Sequence, residues 1–593
     1  MNKKKYDILN FLIKEPYVNQ RILSEQCGHS LGTVNKCIKE LIEQGYLDER
    51  VQPTERALSE FQAKSPKRAI ILAAGFGMRM VPINTETPKG LLEVNGEPLI
   101  ERIIKQLREV GVNDIYIVVG FMKECYEYLI DDYNVKLIVN IDYASKNNLH
   151  SMRLVEKYLS DSYIVPCDIW CRNNPFHKTE PYSWYMVSDE VNNDSTVRVN
   201  RKKELVAISK EKGGNTMIGI SYLAEKEACI VRNNIIRMSN NSYYDEEFWE
   251  SALFEKGKMI PMARVVSSTD VIEINTYEQL RELDKNSNQL KSDAIIIAAK
   301  SLHANLGEIM DISVLKKGMT NRSFLFTCKD RKYIMRIPGE GTDKLINREE
   351  ESNVYLQINK DNICDDIIYI NPSNGYKITA YLEGARVCNA ENVDDVSKSM
   401  RFLRSFHEKQ LIVEHDFDIF RQIDFYESLW NGRPSVYRHY KRTKENVLSL
   451  KEYIDKHACN KVLTHIDAVP DNFLFVVNEN GEEDIRLIDW EYAGMQDPHV
   501  DIAMFAIYAM YEKEQIDWLI DTYFIEGCTA EIRTKIYCYI AACGLLWSNW
   551  CEYKRNLGIE FGEYSLRQYR YAKDYYRYAI AEIEKMEGNK CTK

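Results

Sequence analysis

The chain has no C-x-x-C pair, no apolar run approaching the roughly 18 residues of a membrane span, and no excess of positive charge. Its 15 cysteines are scattered singly and odd in number, so neither a disulfide framework nor a zinc site is indicated. Lys and Arg number 78 against 89 Asp and Glu. The resulting charge of −11 argues against wholesale nucleic-acid binding, though it leaves room for a local basic patch. Met1-Asn2-Lys3-Lys4-Lys5 leads into an amphipathic stretch, so no signal peptide is expected and the expected location is the cytoplasm. What is present is 593 residues, 45% hydrophobic and 28% charged, the composition of a globular chain with room for about three to four domains.

Residues 6–13 carry apolar side chains at helical spacing, and a second helix is expected over Gln20–Cys27. After the Gly28-His29 turn, Ser30 caps a third helix whose apolar face is Val34, Cys37, Ile38, Leu41 and Ile42. Tyr46-Leu47 with Val51 predicts a small hairpin before a last helix over residues 54–61. Three helices and a hairpin resemble the winged helix-turn-helix domains of bacterial regulators. The resemblance implies DNA contact through Thr33, Asn35, Lys36 and Lys39. Residues 1–61 hold nine basic and nine acidic side chains, a balance poor for gripping a phosphate backbone. DNA binding and a docking role therefore both stay open for residues 1–64.

The strand Arg68–Ala73 runs into Ala74-Gly75-Phe76-Gly77-Met78-Arg79-Met80, followed by Pro88-Lys89-Gly90. Glycines there let backbone N–H groups approach anionic oxygens. A helix with Ile100, Ile103, Ile104 and Leu107 on one face and a buried-strand run, Ile115–Val119, complete a β–loop–α–β order. The run Leu72-Ala73-Ala74-Gly75-x-Gly77-x-Arg79 with Pro88-Lys89 is similar to the sugar-phosphate and choline-phosphate nucleotidyltransferases. The Asn147-Asn148-x-x-Ser151 element resembles the bacterial CTP:phosphocholine cytidylyltransferases among them. The resemblance implies a Rossmann-like domain over 67–285, nucleotide contacts at Leu72, Ala73, Ala74, Gly75 and Gly77, and Arg79 and Lys89 on the reacting phosphates. It implies metal at Asp168 and Glu273, with Asn275 standing where the family has a second acid. A trimethylammonium group is held by aromatic faces and carboxylates. The aromatic residues of the domain's second half, Trp184 and Trp249 among them, are therefore candidates for its cage or for core.

After a polar stretch at 284–293, expected to be a linker, comes Val314 to Ser323, a strand–turn–strand over which phosphates could sit. Arg336 lies where protein kinases keep a lysine, Glu349 is its expected partner, and Glu383 falls in the connection between lobes. His465-x-Asp467-x4-Asn472, an apolar hairpin and Asp489-Trp490-Glu491 then have the layout of a phosphoryl-transfer loop. Asp467 would be the base, with Asn472 and Asp489 ligands of Mg2+. Arginine for lysine, Asp-Trp-Glu for Asp-Phe-Gly and the lack of an activation-loop motif depart from protein kinases. These features match the choline/ethanolamine kinases and aminoglycoside phosphotransferases. The resemblance implies that Trp547 and Trp550 enclose a quaternary ammonium, that Glu491 faces it, and that Asp501 supports the loop.

The expected architecture is multidomain, α/β and α+β: a winged helix at 1–64, a Rossmann-like nucleotidyltransferase at 67–285 and a bilobal protein-kinase-like domain at 294–593. Two such sites on one chain make sense if one feeds the other. Choline and ATP would give phosphocholine, and phosphocholine with CTP would give CDP-choline for decorating cell-surface polymers. The competing readings are a sugar kinase joined to a sugar-1-phosphate nucleotidyltransferase, and a DNA-binding regulator that senses choline or nucleotide.

Overall fold

The computed structural model describes residues 3–315, 321–339, 345–359, 362–478 and 480–591. The chain falls into two compact units, Met1–Asp293 and Ala294–Lys593.

The first unit opens with helices Lys3–Lys14, Gln20–Cys27 and Leu31–Glu43. The Asn19 carboxamide accepts from Arg21 N and Ile22 N at 3.0 and 2.9 Å, and Ser30 Oγ from Thr33 N at 3.3 Å. Each cap satisfies amides that the first helical turn leaves without partners. Ile8, Leu9, Leu23, Val34, Ile38 and Leu41 form the core between the three helices. Leu47 pairs with Pro53 instead of Val51, because Val51, at φ 61°, makes the turn itself. Asp48 Oδ1 accepts from Arg50 N and Gln52 N across that tip. Asn35, Lys36 and Lys39 stay exposed, and Thr33 is half-buried. This helical module rests on the sheet domain of the same unit: Tyr182 OH donates to Asp7 at 3.3 Å, and Asp7 also meets His29 Nε2 at 3.0 Å.

The sheet domain is organised around four parallel strands in the order Lys136–Val139, Asp114–Val119, Arg68–Ala73, Ser162–Pro166. Its central strands do not alternate between buried and exposed residues: Ile70, Ile71 and their neighbours Tyr116, Ile117, Ile164 and Val165 are all buried. Parallel strands covered on both faces read as continuous apolar runs. Ile71, Ile117 and Val165 pack with Ile100, Ile103 and Ile104 of helix Leu99–Glu109. Ile70, Val118 and Ile164 pack with Leu149, Met152 and Val155 of helix Asn148–Val155. Beyond Ser162–Pro166 the sheet continues through Gly214–Leu223, antiparallel to it, and Trp184–Asn192. A separate ribbon joins Ile169–Cys171 to Val271–Glu273.

The polar stretch at 284–293 is not a free linker. Asp284 accepts from Asn95 N at 2.8 Å, Ser287 Oγ donates to Glu93 O at 3.1 Å, and Leu290 O accepts from the buried Tyr277 hydroxyl at 2.7 Å. Its polarity serves the backbone of the 93–97 hairpin, which periodicity in the stretch itself does not reveal.

The second unit has a five-stranded antiparallel sheet in the order Met310–Val314, Asn321–Cys328, Arg331–Pro338, Tyr376–Ala380, Ile367–Asn371. Helix Arg348–Ile358 accompanies it. The turn at 316–320, expected to lie over phosphates, falls outside the described residues. A helical portion follows, crossed by the hairpin Phe473–Val477/Glu483–Leu487 in which Phe475 faces Ile485. Two long helices, Ala530–Asn556 and Glu563–Cys591, close the unit.

Candidate active sites

In the first unit a cavity of about 810 Å³ opens at the carboxyl ends of the central strands, where open α/β sheets place ligands. Leu72, Ala74, Gly75, Gly77, Arg79, Lys89, Asp168, Glu273 and Asn275 all line it, although Ala73, one step along the strand, does not. Gly77 is left-handed at φ 67°, and a Cβ there would meet the Lys89 side chain at 3.4 Å. The Lys89 ammonium donates to Asp168 and, at 2.7 Å, to Asn275 Oδ1. Arg79 donates to the same Asn275 oxygen at 3.2 Å. Ile274 N bonds Asp168 O at 3.0 Å, so the 271–273 ribbon brings Glu273 beside Asp168. Burial and the Asp168 charge raise Glu273 above the usual carboxylate range, against the pull of Lys89 and Arg79.

Asp168 Oδ1 is buried without a hydrogen-bond partner. Asp168 and Glu273 thus fit a divalent cation, a hard ion taking oxygen ligands. Asn275 stands with them, but its oxygen already receives both cations. In the free protein it bridges Arg79 and Lys89, and its place beside Asp168 and Glu273 keeps it a candidate ligand.

The tryptophans differ from expectation. Trp184 is buried, its indole N–H donates to Glu180 at 2.8 Å, and the Arg264 guanidinium lies 3.6 Å over its ring. Buried and absent from the lining of the cavity, it is a core residue and not part of a cage there. Trp249 is fully buried against Tyr185 and stands in the wall of the cavity. Beside it in the same wall are Phe248, which is exposed, and Glu250, which sequence reasoning missed. Glu250 Oε1 accepts from Tyr185 OH at 3.1 Å, its Oε2 has no partner, and burial pushes the carboxyl up to about 7. Its position beside Trp249 was the only available signal.

In the second unit Asp501, fully buried, accepts from His465 N at 2.9 Å, Ile466 N at 2.7 Å and His407 at 2.9 Å. It holds the loop as the resemblance implied, with Ile466 in the left-handed region at φ 67°. That is a conformation costing a β-branched residue about 1–3 kcal/mol. Asn472 Nδ2 donates to Asp467 O at 2.8 Å and Oδ2 at 3.2 Å. Ile488 N bonds Asn472 O at 3.0 Å, which brings Asp489 (φ 69°) to the same place. Burial, then the charges of Asp489 and Glu491, push Asp467 up to about 8. Carboxylates that raise one another's pKa in this way fit a site completed by a divalent cation.

Two expectations are corrected here. Arg336 pairs through both Nη atoms with Glu351, Nη2 at 2.9 Å, and not with Glu349, which is exposed. On a helix the two acids differ by about 200° of phase, and only the buried face meets the sheet. Glu491 is taken up by Asn321 at 2.9 Å and Arg348 at 3.4 Å, so it does not stand free for a substrate cation. Glu383 is exposed and bonded to Lys332 at 2.9 Å. Ser323 is half-buried, opposite Arg336 in the strand register. Lys377, next to Arg336 on the other side, was missed. It is buried, donates to Tyr355 OH at 2.5 Å, and is the foremost cation acting on Asp489.

Trp547 and Trp550 meet edge to face at 5.7 Å, and Tyr492, just after the catalytic acids, packs on Trp547 at 5.8 Å. Both indoles are largely buried. The Lys554 ammonium lies 5.4 Å over Trp550, its pKa lowered by burial.

The corrected ion pair is directly checkable. Glu351→Ala strands a buried guanidinium and should cost about 3–5 kcal/mol, read by hydrogen exchange of the strand Arg331–Pro338. Glu349→Ala should stay within about 0.5 kcal/mol. Equal effects would restore Glu349 as the partner.

Comparison with known proteins matches residues 1–48 to winged helix-turn-helix DNA-binding domains, 69–175 to the MobA-like NTP transferase domain and 312–525 to the choline/ethanolamine kinases. The choline-phosphate cytidylyltransferase of Streptococcus pneumoniae is 33% identical over 232 residues, 37% of this chain and 100% of its own length. Protein LicA of Haemophilus influenzae is 29% identical over 265 residues, 42% of this chain and 96% of its own. The crystal structure of choline kinase LicA from Streptococcus pneumoniae is 26% identical and covers 48% of this chain and 99% of that one, with a TM-score of 0.42. The chain belongs to the bacterial choline-phosphate cytidylyltransferases, fused to a kinase unit of the choline/ethanolamine kinase family and a winged helix-turn-helix.

Proposed function

We propose that residues 67–285 transfer CMP from CTP to phosphocholine, that residues 294–593 make that phosphocholine from choline and ATP, and that residues 1–64 form the winged helix. The observation that carries the reading is the pair of clusters, Arg79–Lys89–Asp168–Glu273 and Asp467–Asn472–Asp489. Each gathers half-buried acids within reach of one another, the first of them in the wall of the large cavity. Mg2+, held by Asp168 and Glu273 in one unit and by Asn472 and Asp489 in the other, would supply charge neutralisation at the phosphates.

In the kinase unit Asp467 accepts the choline hydroxyl proton as that oxygen attacks the γ-phosphorus and ADP leaves. Asp501 keeps the loop fixed while Tyr492, Trp547 and Trp550 give the ammonium aromatic faces. In the transferase unit a phosphocholine oxygen attacks the α-phosphorus of CTP, and the bond to pyrophosphate breaks. Lys89 and Arg79 leave Asn275 and Asp168 to meet the phosphate oxygens as negative charge gathers there. Phe248 and the unpartnered Glu250 oxygen suit a cation that carries no hydrogen-bond donors. The likeness to a choline-phosphate cytidylyltransferase over that protein's whole length favours this reading over the sugar one. A sensor would have no use for a base at Asp467.

Asp467→Asn should abolish phosphocholine formation and leave conversion of supplied phosphocholine intact, whereas Asp168→Asn should accumulate phosphocholine. Loss of both activities from either change in a folded chain would reject two independent sites.

Glu250 gives a pH dependence of definite sign. Burial pushes its carboxyl up to about 7, and only the charged form attracts the ammonium. Phosphocholine affinity should be full above that pH and fall about tenfold per unit below it. Glu250→Gln should flatten the profile, as followed by the phosphocholine KM between about pH 5.5 and 8.5.

For residues 1–64 the exposed Asn35, Lys36 and Lys39 suit major-groove contact, weakly held because the charge is balanced. The whole chain should retain duplex DNA at low salt and release it on modest salt addition. A chain starting at Lys67 should lose retention and keep both activities.

A further inference from the structure

Helices Tyr440–Ser449 and Glu563–Cys591 pack together, and between them lies a cavity of about 480 Å³ whose lining includes none of the catalytic residues. His439, Arg442, Lys573 and Arg577 line it, and no acid does. In a chain carrying −11 overall, four basic side chains converging from two segments distant in sequence are not an accident of composition. Their surroundings sharpen the point. Lys444, two residues beyond Arg442, is fully served by Asp424 at 2.6 Å and by Glu427. Among the described residues His439, Arg442 and Lys573 have no ion pair, and Arg577 has only Asp574 at 3.4 Å.

The floor beneath them is rigid. Tyr437 stacks on Tyr569 at 3.8 Å with the rings 6° from parallel, and the Tyr569 hydroxyl meets Thr443 Oγ1 at 2.9 Å. The four basic side chains thus line one space set on a packed, hydrogen-bonded helix pair. His439 is also the N-terminal flank of the 440–449 helix and makes no side-chain cap there, which adds the positive end of a helix to the same space.

We propose that this cavity binds a small, multiply phosphorylated ligand of nucleotide size, separately from both catalytic sites. Its volume lies within the range of about 300–1,000 Å³ usual for such ligands. Arg442 and Arg577 offer forked donors to phosphate oxygens. Tyr576 gives a ring, and Asn446 an amide, for the remainder of a nucleotide. A polyanion track is disfavoured, because the next cations along the long helix are already paired, Arg570 with Asp574 and Arg567 with Glu512.

The test is titration calorimetry of the whole chain with inorganic tripolyphosphate, ATP and CTP, against Arg442→Gln/Lys573→Gln and, independently, Asn446→Glu. Wild type should show one site more than either variant, or that site should weaken roughly tenfold or more, with both enzymatic activities unchanged. Loss for the nucleotides but not for tripolyphosphate identifies a nucleoside-dependent ligand, and equal loss for all three identifies the phosphate chain as what is read. Identical stoichiometry and affinity in all three proteins overturns the proposal. So does a variant defect confined to heparin or to phosphatidylserine vesicles, which would make the patch a polyanion surface.

Discussion

A carboxylate removed from water must be given N–H donors or cations, and much of this molecule is arranged by that demand. Asp501 is the clearest case: it has no exposure, and its three donors are two successive loop amides and a histidine from a distant helix. The left-handed Ile466 follows from those two amides being turned toward one acid, and Asp467 is placed by what Ile466 does. In the first unit Glu180 works similarly, collecting Tyr163 OH at 2.9 Å, the Trp184 indole and Arg264 at 2.8 Å. Breaking such a centre leaves a charge with nowhere to go, which is why these acids shape the backbone more strongly than surface pairs do.

Local order was legible in the residues themselves. Strand and glycine loop followed from the run Arg68–Gly77, the helix from the face of Ile100, Ile103, Ile104 and Leu107, and the hairpin between Asn472 and Asp489 from two apolar stretches around a polar turn. All are written in neighbours. Partners across the fold were less visible. Nothing near Trp184 announces that Arg264, far along the chain, will cover its face. The choice between Glu349 and Glu351 depends on which side of a helix meets the sheet, and a helix that opens Arg-Glu-Glu-Glu gives little apolar phase to decide it. Asn275 shows a third kind of hidden partner: its oxygen lies between Arg79 and Lys89, 196 and 186 residues away in the chain. Lys377 and Glu250 were overlooked since a single charge within an apolar run has no pattern to belong to.

The two catalytic clusters reach similar chemistry by opposite routes. Around Asp168 the protein supplies its own counter-charge, Lys89, in direct contact with the acid. Around Asp467 it does not: the acids crowd one another, and the nearest arginines are engaged by Glu351 and Glu491. The first site is thus charge-balanced before any ligand arrives, and the second is left wanting cations. The second should accordingly be the more dependent on metal for its local order.

The lysine over Trp550 changes what it means for the aromatic pair to receive a substrate. Its ammonium is half of a contact that choline would otherwise find vacant. With choline on these rings, as proposed, uptake would be an exchange of one monovalent cation for another on the same ring, in which the charge within the buried region need not change. Ionic strength would have little purchase on such an equilibrium, and selectivity would rest on the difference between two hydration energies: a methylated ammonium sheds water cheaply, whereas a primary one does not.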